Sequence, residues 1–209
     1  MSKKVLVVND FRDLGSSYYR PFREFGEETH DVDLIEKGEI GLVVFTGGED
    51  VDPSLYNQKK HPFTYCNSLR DAEEIAAFKR ASAVNLPLVG ICRGSQFLCV
   101  MAGGTLIQHI NNHGGYHTIR TNDDRLLRVN STHHQMQNPP KNAVVLAWAE
   151  PKRSHEYYWD TPEKEFECVA YPNINAVGMQ YHPEAMDEKS EGFQYCLELT
   201  RKLLDKKLW

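Results

Sequence analysis

Cys92 stands in the segment Gly90-Ile91-Cys92-Arg93-Gly94, directly after the apolar run Leu86-Pro87-Leu88-Val89, and ninety residues later the chain supplies Tyr181-His182-Pro183-Glu184. A cysteine between glycines at a strand-to-helix turn forms a nucleophile elbow, because the glycines let the backbone bend tightly enough to hold the side chain up in an open site. His182 is then the base and Glu184 its orienter. Cleaving an amide with a thiol needs a thiolate, a group that protonates the leaving nitrogen, and donors for the tetrahedral oxyanion. A helix beginning at Cys92 aids the first requirement, since its dipole and free amides favour an anion. A lone cysteine would more often be an inert buried thiol. The His-Pro-Glu cluster is what changes that reading.

Two strands must position these groups. The apolar stretch 86–89 leads into Cys92, and Ala176-Val177-Gly178-Met179 leads into His182, where Pro183 stops the strand. Both therefore end at one edge of a sheet, where open α/β sheets bind ligands. Val5 to Val8 and Leu42 to Phe45 read as further buried strands of a parallel sheet, the second ending in Thr46-Gly47-Gly48. Ser16 to Phe25 reads as a helix and Val32 to Ile35 as a weak strand. From Asp71 to Val84 the recurrence of Ile75, Phe78, Ala81 and Val84 predicts a surface helix with those residues inward. Ser95 to Ala102 predicts the helix after the elbow, closed by Gly103-Gly104. Residues 108–175 read as antiparallel, with strands at Leu126 to Val129, Val144 to Trp148 and Phe166 to Ala170. Ser190 to Leu204 is an amphipathic helix. The expected architecture is one α/β domain over residues 1–209, with a mostly parallel central sheet, flanking helices and a smaller antiparallel portion.

Four ordered blocks carry a resemblance. Gly-Ile-Cys-Arg-Gly-Ser-Gln at 90–96, Gly-Gly-Thr-Leu at 103–106, Val-Asn-Ser-Thr-His-His-Gln at 129–135 and Gln-Tyr-His-Pro-Glu at 180–184 resemble class I glutamine amidotransferases, most closely the free-standing γ-glutamyl hydrolases. The resemblance implies a flavodoxin-like fold and a Cys92-His182-Glu184 triad acting through a γ-glutamyl thioester. It implies an oxyanion hole from the backbone amides of Gly48 and Arg93, and a γ-glutamyl pocket using Gly47, Gln96, Ser131 and His133. Arg70-Asp71 and Glu74 match an Arg-Asp-x-x-Glu block of the hydrolase branch, with Arg70 assigned to substrate; read alone, they are an ordinary helix N-terminus. Arg93 after the nucleophile also resembles the hydrolase branch, since synthetase-linked members carry an apolar or aromatic residue there. The chain further resembles hydrolases of γ-glutamyl-CDP-amidate in capsule phosphoramidate synthesis, a substrate permitted by Arg12, Arg20 and Arg23 with Tyr18 and Tyr19, and by Arg153 with Tyr157, Tyr158 and Trp159, because arginine pairs with phosphate and aromatic rings stack on bases. The alternative is a glutaminase subunit supplying ammonia to a separate synthetase.

Composition bounds the partners. With 209 residues, 41% apolar and 25% charged, the chain is of ordinary globular character, and its net charge of −5 disfavours nonspecific nucleic-acid binding. The apolar runs are too short to span a membrane, and the N-terminal Lys3-Lys4-Val5-Leu6-Val7-Val8 reads as a first strand rather than a signal peptide. Five cysteines without C-x-x-C spacing are expected to be reduced thiols of a cytoplasmic protein. His109, His113 and His117 are spaced by four, yet Asn111-Asn112 and Gly114-Gly115 break any helix that would align them, so neither a metal nor another cofactor is expected. The expected partner is a small γ-glutamyl substrate, with oligomeric state open.

Overall fold

The computed structural model describes residues 3–9, 17–158 and 161–209. Short apolar runs give the parallel strands: β1 (Lys4–Val8), β2 (Glu28–Thr29), β3 (Ile40–Phe45) and β4 (Leu88–Ile91), the last followed by helix α2 (Arg93–Met101). Helix α1 (Ser68–Ala83) precedes β4 and is capped by Asn67, whose side chain accepts from the amides of Leu69 and Arg70. After α2 come β5 (Thr105–Ile107), β6 (Gly114–Thr121), β7 (Leu126–Thr132), β8 (Met136–Asn138), β9 (Val144–Ala149), β10 (Phe166–Tyr171) and β11 (Ala176–Met179), and then α3 (Glu191–Leu204), capped by Ser190.

Nine strands form one sheet in the order β2-β1-β3-β4-β11-β10-β9-β6-β7. The pairings from β2 through β11 are parallel and those from β11 through β7 antiparallel, so the antiparallel portion continues the parallel one. β5 and β8 pair separately. Alternate side chains of β1, β3 and β4 face opposite sides. Val5, Val7, Leu42, Val44, Val89 and Ile91 join Phe193, Cys196, Leu199 and Leu203 of α3, while Leu6, Val43, Phe45 and Leu88 join Ala77 and Ala81 of α1 and Phe97 and Leu98 of α2. The result is an α/β three-layer arrangement, as the sequence pattern implies.

Three local readings change. Val32–Leu34 is a 3-10 turn rather than a strand, because the Asp31 side chain accepts from Asp33 N and closes the turn. The sheet edge is β2 instead. In place of a helix from Ser16, the described part of that segment is a 3-10 turn at Arg20–Phe25, and residues 10–16 lie outside the described residues. The buried face of α1 is Arg70, Asp71, Glu74, Ala77 and Ala81, while Val84 is exposed. Ile75, Phe78 and Ala81 of the predicted stripe pack against the core, and the inward face widens to Arg70, Asp71 and Glu74 because charged partners, described below, hold the first turn.

Register places the site. Phe45 pairs with Gly90, and Gly90 with Gly178, so β3, β4 and β11 end side by side. The Thr46-Gly47-Gly48 turn, Cys92 and His182 follow those ends within a few residues. Close packing of the elbow requires glycine at 94, where a Cβ would overlap the Phe45 carbonyl. Gly94→Ala should therefore lower stability by about 3 kcal/mol, measured by urea unfolding; an unchanged midpoint would show that the elbow can relax away from β3.

Candidate active site

Cys92 is held with φ 51° and ψ −109°, a region that a residue with a Cβ rarely occupies. Its amide donates to Met179 O at 2.7 Å, and its carbonyl accepts from Ser95 Oγ at 2.7 Å. These bonds hold the strained turn between β4 and α2, as expected for an elbow that lifts its side chain above a sheet. Of the other four cysteines, Cys99, Cys168 and Cys196 are core residues whose burial pushes the thiols up, which takes them out of use as nucleophiles.

His182 lies past the end of β11, and its Nδ1 is 2.7 Å from Glu184 Oε1. That leaves Nε2 as the nitrogen available to the thiol. Burial opposes a charged imidazole, but the Cys92 thiolate and the Glu184 carboxylate outweigh it and hold His182 up at about 11. The His182 backbone is clamped by Asn130 of β7, which accepts from His182 N at 3.0 Å and donates to His182 O at 2.9 Å. Arg20 fixes the next turn, donating to Glu184 O and Met186 O at 3.0 and 2.8 Å and lying 3.2 Å from Glu188. Its guanidinium is thus committed to the turn that carries Glu184 and not to a substrate phosphate. Tyr157 is likewise engaged, its hydroxyl donating to Glu165 at 2.7 Å. Arg12 and Trp159 lie outside the described residues.

A pocket of about 180 Å³ opens on the nucleophile, lined by Gly48, Glu49, Asp50, Tyr65, Cys92, Arg93, Gln96 and residues 132–135. It is smaller than the roughly 300–1,000 Å³ of drug-sized sites and suits an amino-acid-sized group. A larger cleft of about 500 Å³, bordered by Val8, His30, Glu73 and Arg80, contains no member of the triad. Gln96 is buried at the pocket wall, its amide nitrogen donating to Gln135 O at 3.1 Å and Gln180 Oε1 at 3.3 Å, so its carbonyl oxygen is the atom left for a ligand. His133 also lines the pocket, with Nδ1 2.8 Å from Gln135 O; burial is the main reason its pKa is lowered.

Gly47, Arg70 and Ser131 lie behind the pocket wall rather than in it. Arg70 donates from Nη2 to Gly47 O at 2.7 Å and Thr46 O at 3.2 Å, from Nε to Glu74 at 2.9 Å, and from Nη1 to Glu49 at 3.1 Å. Gly47 packs against the Tyr18 hydroxyl and the His182 ring, leaving no room for a side chain. The Ser131 hydroxyl turns inward to His113 O at 2.7 Å. The side chain of Arg93 also points away from the pocket. It pairs with Asp71 and Glu74 and donates to Glu49 O at 3.0 Å, so the Arg-Asp-x-x-Glu block of α1 and the arginine after the nucleophile form one buried cluster. Burial lowers the Arg93 guanidinium to about 10, with Arg70 beside it adding to the effect, and it remains a cation at neutral pH. Gly48 has φ 135°, and a Cβ there would overlap Arg70, which is why the chain can turn here only as glycine.

Asn130, Asp50 and Tyr65 escape sequence reasoning. Asn130 sits inside a recognised block, but its role depends on β7 lying beside the turn after β11. Asp50 accepts from Tyr65 N at 2.8 Å and lies 3.1 Å from His134 Nε2, a pairing that closes the pocket wall between distant segments. The three histidines spaced by four occupy no helix. His113 and His117 nonetheless come together with their rings 5.7 Å apart, through the entry to β6, a strand hidden in the sequence behind Gly114-Gly115.

The family model described as Peptidase C26 matches residues 29–184. The chain belongs to the peptidase C26 family. Among relatives of this C26 chain, NtpR of Enterococcus hirae is 31% identical over 170 residues, which is 70% of this chain and 67% of NtpR. A glutamine amidotransferase-like protein, the YvdE homolog of Lactococcus lactis, is 44% identical over 73 residues, covering 34% of this chain and 39% of that protein. The first curated relatives are matched over only 23% to 39% of their own length. In fold the chain is similar to a glutamine amidotransferase from Thermotoga maritima, with TM-score 0.61, 22% identity, and coverage of 99% of this chain and 90% of that one. Several relatives of this C26 chain are described as glutamine amidotransferase-like. No helix among the described residues is long and apolar enough to cross a membrane.

Two outcomes follow for this C26 site. If His182 as imidazolium protonates the leaving nitrogen, turnover of a γ-glutamyl anilide falls as pH rises through its pKa, so the alkaline limb lies well above neutrality. Glu184→Gln removes one support of the cation and should move that limb downward in a kcat/KM profile; an unmoved limb would contradict the pairing. Arg70→Lys cannot reproduce the fork beneath Gly47 and should lower kcat roughly tenfold or more with the fold retained, because small displacements of a turn that borders the pocket are costly.

Proposed function

We propose that the chain is a cysteine hydrolase that cleaves a γ-glutamyl–nitrogen bond, releasing glutamate and an amine or phosphoramidate. The observation that carries this reading is the meeting of Cys92, His182 bonded to Glu184, and an amino-acid-sized pocket at the ends of three neighbouring strands.

The Cys92 thiolate attacks the γ-carbonyl carbon, and the oxyanion is received by the amides of Gly48 and Arg93, which border the pocket. The C–N bond breaks as the His182 imidazolium gives its proton to the departing nitrogen, leaving a γ-glutamyl thioester on Cys92. Water then attacks the thioester, giving its proton to neutral His182. Glutamate leaves, and the thiolate–imidazolium pair is restored. Glu184 holds the imidazole in one orientation and favours its cation in both half-reactions. For the amino-acid head, the Gln96 carbonyl oxygen and the acidic Glu49 and Asp50 suit the α-ammonium, and His133 and His134 flank the other side of the pocket.

Within this class, γ-glutamyl-CDP-amidate is the candidate substrate. Its support is a cluster of rings beside the pocket residue His134 rather than Arg20. His109, Phe63, His61 and Tyr158 pack in succession next to it, and the exposed ring of Phe63 offers a face that can stack on a base. Glutamate release from γ-glutamyl-CDP-amidate, γ-glutamyl alkylamines and glutamine tests the reading on purified protein without a partner. Turnover of a γ-glutamyl amide, reduced at least 10³-fold in Cys92→Ala, is expected. Slow hydrolysis of glutamine alone would instead favour a synthetase-dependent glutaminase, and full activity in Cys92→Ala would exclude the mechanism.

A further inference from the structure

Five buried side chains from three segments meet behind the pocket wall. His113 precedes β6, His117 lies on it, His133 follows β7, and Glu165 and Glu167 lie at the start of β10. His113 Nδ1 is 3.6 Å and His133 Nε2 3.8 Å from Glu167 Oε1, and ligand atoms of these three residues lie within 4.8 Å of one another. Those separations are too long for hydrogen bonds. They are close to the edge of a coordination tetrahedron, about 3.4 Å for ligands about 2.1 Å from a zinc ion.

Three polar atoms at this point lack hydrogen-bond partners, while Glu167 Oε1 is held by His117. His113 Nδ1, His133 Nε2 and Glu167 Oε2 are buried with no hydrogen bond, an unusual concentration in one place. The other polar atom of each group, in contrast, has a polar neighbour. His133 Nδ1 lies 2.8 Å from Gln135 O, which puts the lone pair on Nε2. His113 Nε2 lies 3.2 Å from Glu165 Oε2, and His117 Nε2 lies 2.9 Å from Glu167 Oε1. Glu165 is itself fixed by the amides of Arg153 and Ser154 and the Tyr157 hydroxyl, each at 2.7 Å. Partners that orient a ligand from its far side are what metal-binding imidazoles and carboxylates carry. Charge agrees as well, because the two buried carboxylates Glu165 and Glu167 supply negative charge of the kind a divalent cation balances.

We propose that His113, His133 and Glu167 bind a divalent transition-metal ion, zinc by its two-nitrogen, one-carboxylate donor set, with a fourth position open. The ion ties the end of β7, and with it the pocket residue His133, to β6 and β10. This inference is independent of the hydrolase reading, since it concerns only what these side chains hold.

Metal analysis of protein purified from zinc-supplemented medium and dialysed should find about one equivalent of zinc, and Co²⁺ added to chelator-stripped protein should give visible d–d bands without thiolate charge transfer. Glu167→Gln and His133→Asn should each lose the metal and the bands, while His109→Ala keeps both. Should those variants fail to fold, wild-type protein decides: no stoichiometric zinc and no Co²⁺ spectrum overturns the proposal. So does zinc retained when both His133 and Glu167 are replaced.

Discussion

The chemistry of this molecule depends on the lateral register of three parallel strands. With Phe45, Gly90 and Gly178 in one row across β3, β4 and β11, the turns that follow bring a glycine pair, a thiol and an imidazole to the same edge. No single turn makes the site. Each contributes one group, and the sheet supplies the distance between them. Because the strands are buried on both faces, a slip of one residue would turn an apolar set out of its layer, so the core that stabilises the fold also fixes the active geometry.

A buried ionic cluster adds the finer adjustment. Arg93 and Arg70 reach in opposite directions from the elbow and from α1 to share Asp71, Glu74 and Glu49, and Arg70 also holds the carbonyls of Thr46 and Gly47. Two cations packed together are expensive to desolvate unless carboxylates and carbonyls surround them. Here they do, and the return is specificity of position: the nucleophile's neighbour, the glycine turn and the first turn of α1 are fixed to one another. The same cluster accounts for a helix whose inward face begins with charge.

The sequence made the active groups legible where chemistry is local. A glycine-flanked cysteine after an apolar strand and a His-Pro-Glu after another point to their own turn geometry, and Cys92 and His182 stand at those turns. It was less informative where a side chain's task depends on which strands become neighbours. Arg70 and Ser131 belong to recognised blocks, yet both serve the backbone behind the pocket, because the partners that claim them come from distant segments. Asn130 was hidden for the same reason. The spacing of His113 and His117 has no helix to exploit, whereas strands at their flanks bring them to Glu165 and Glu167, half a hundred residues away. Val32–Leu34 failed as a strand because one local hydrogen bond from Asp31 outweighed a weak apolar pattern.

The central claim is that Cys92 carries the γ-glutamyl group. Intact-protein mass spectrometry after rapid acid quench, with peptide mapping, tests it on enzyme mixed with a γ-glutamyl amide. The expected result is a glutamyl adduct confined to Cys92 in the wild-type protein and absent from Cys92→Ala. An adduct on another residue, or glutamate release at full rate with Cys92 absent, would contradict it.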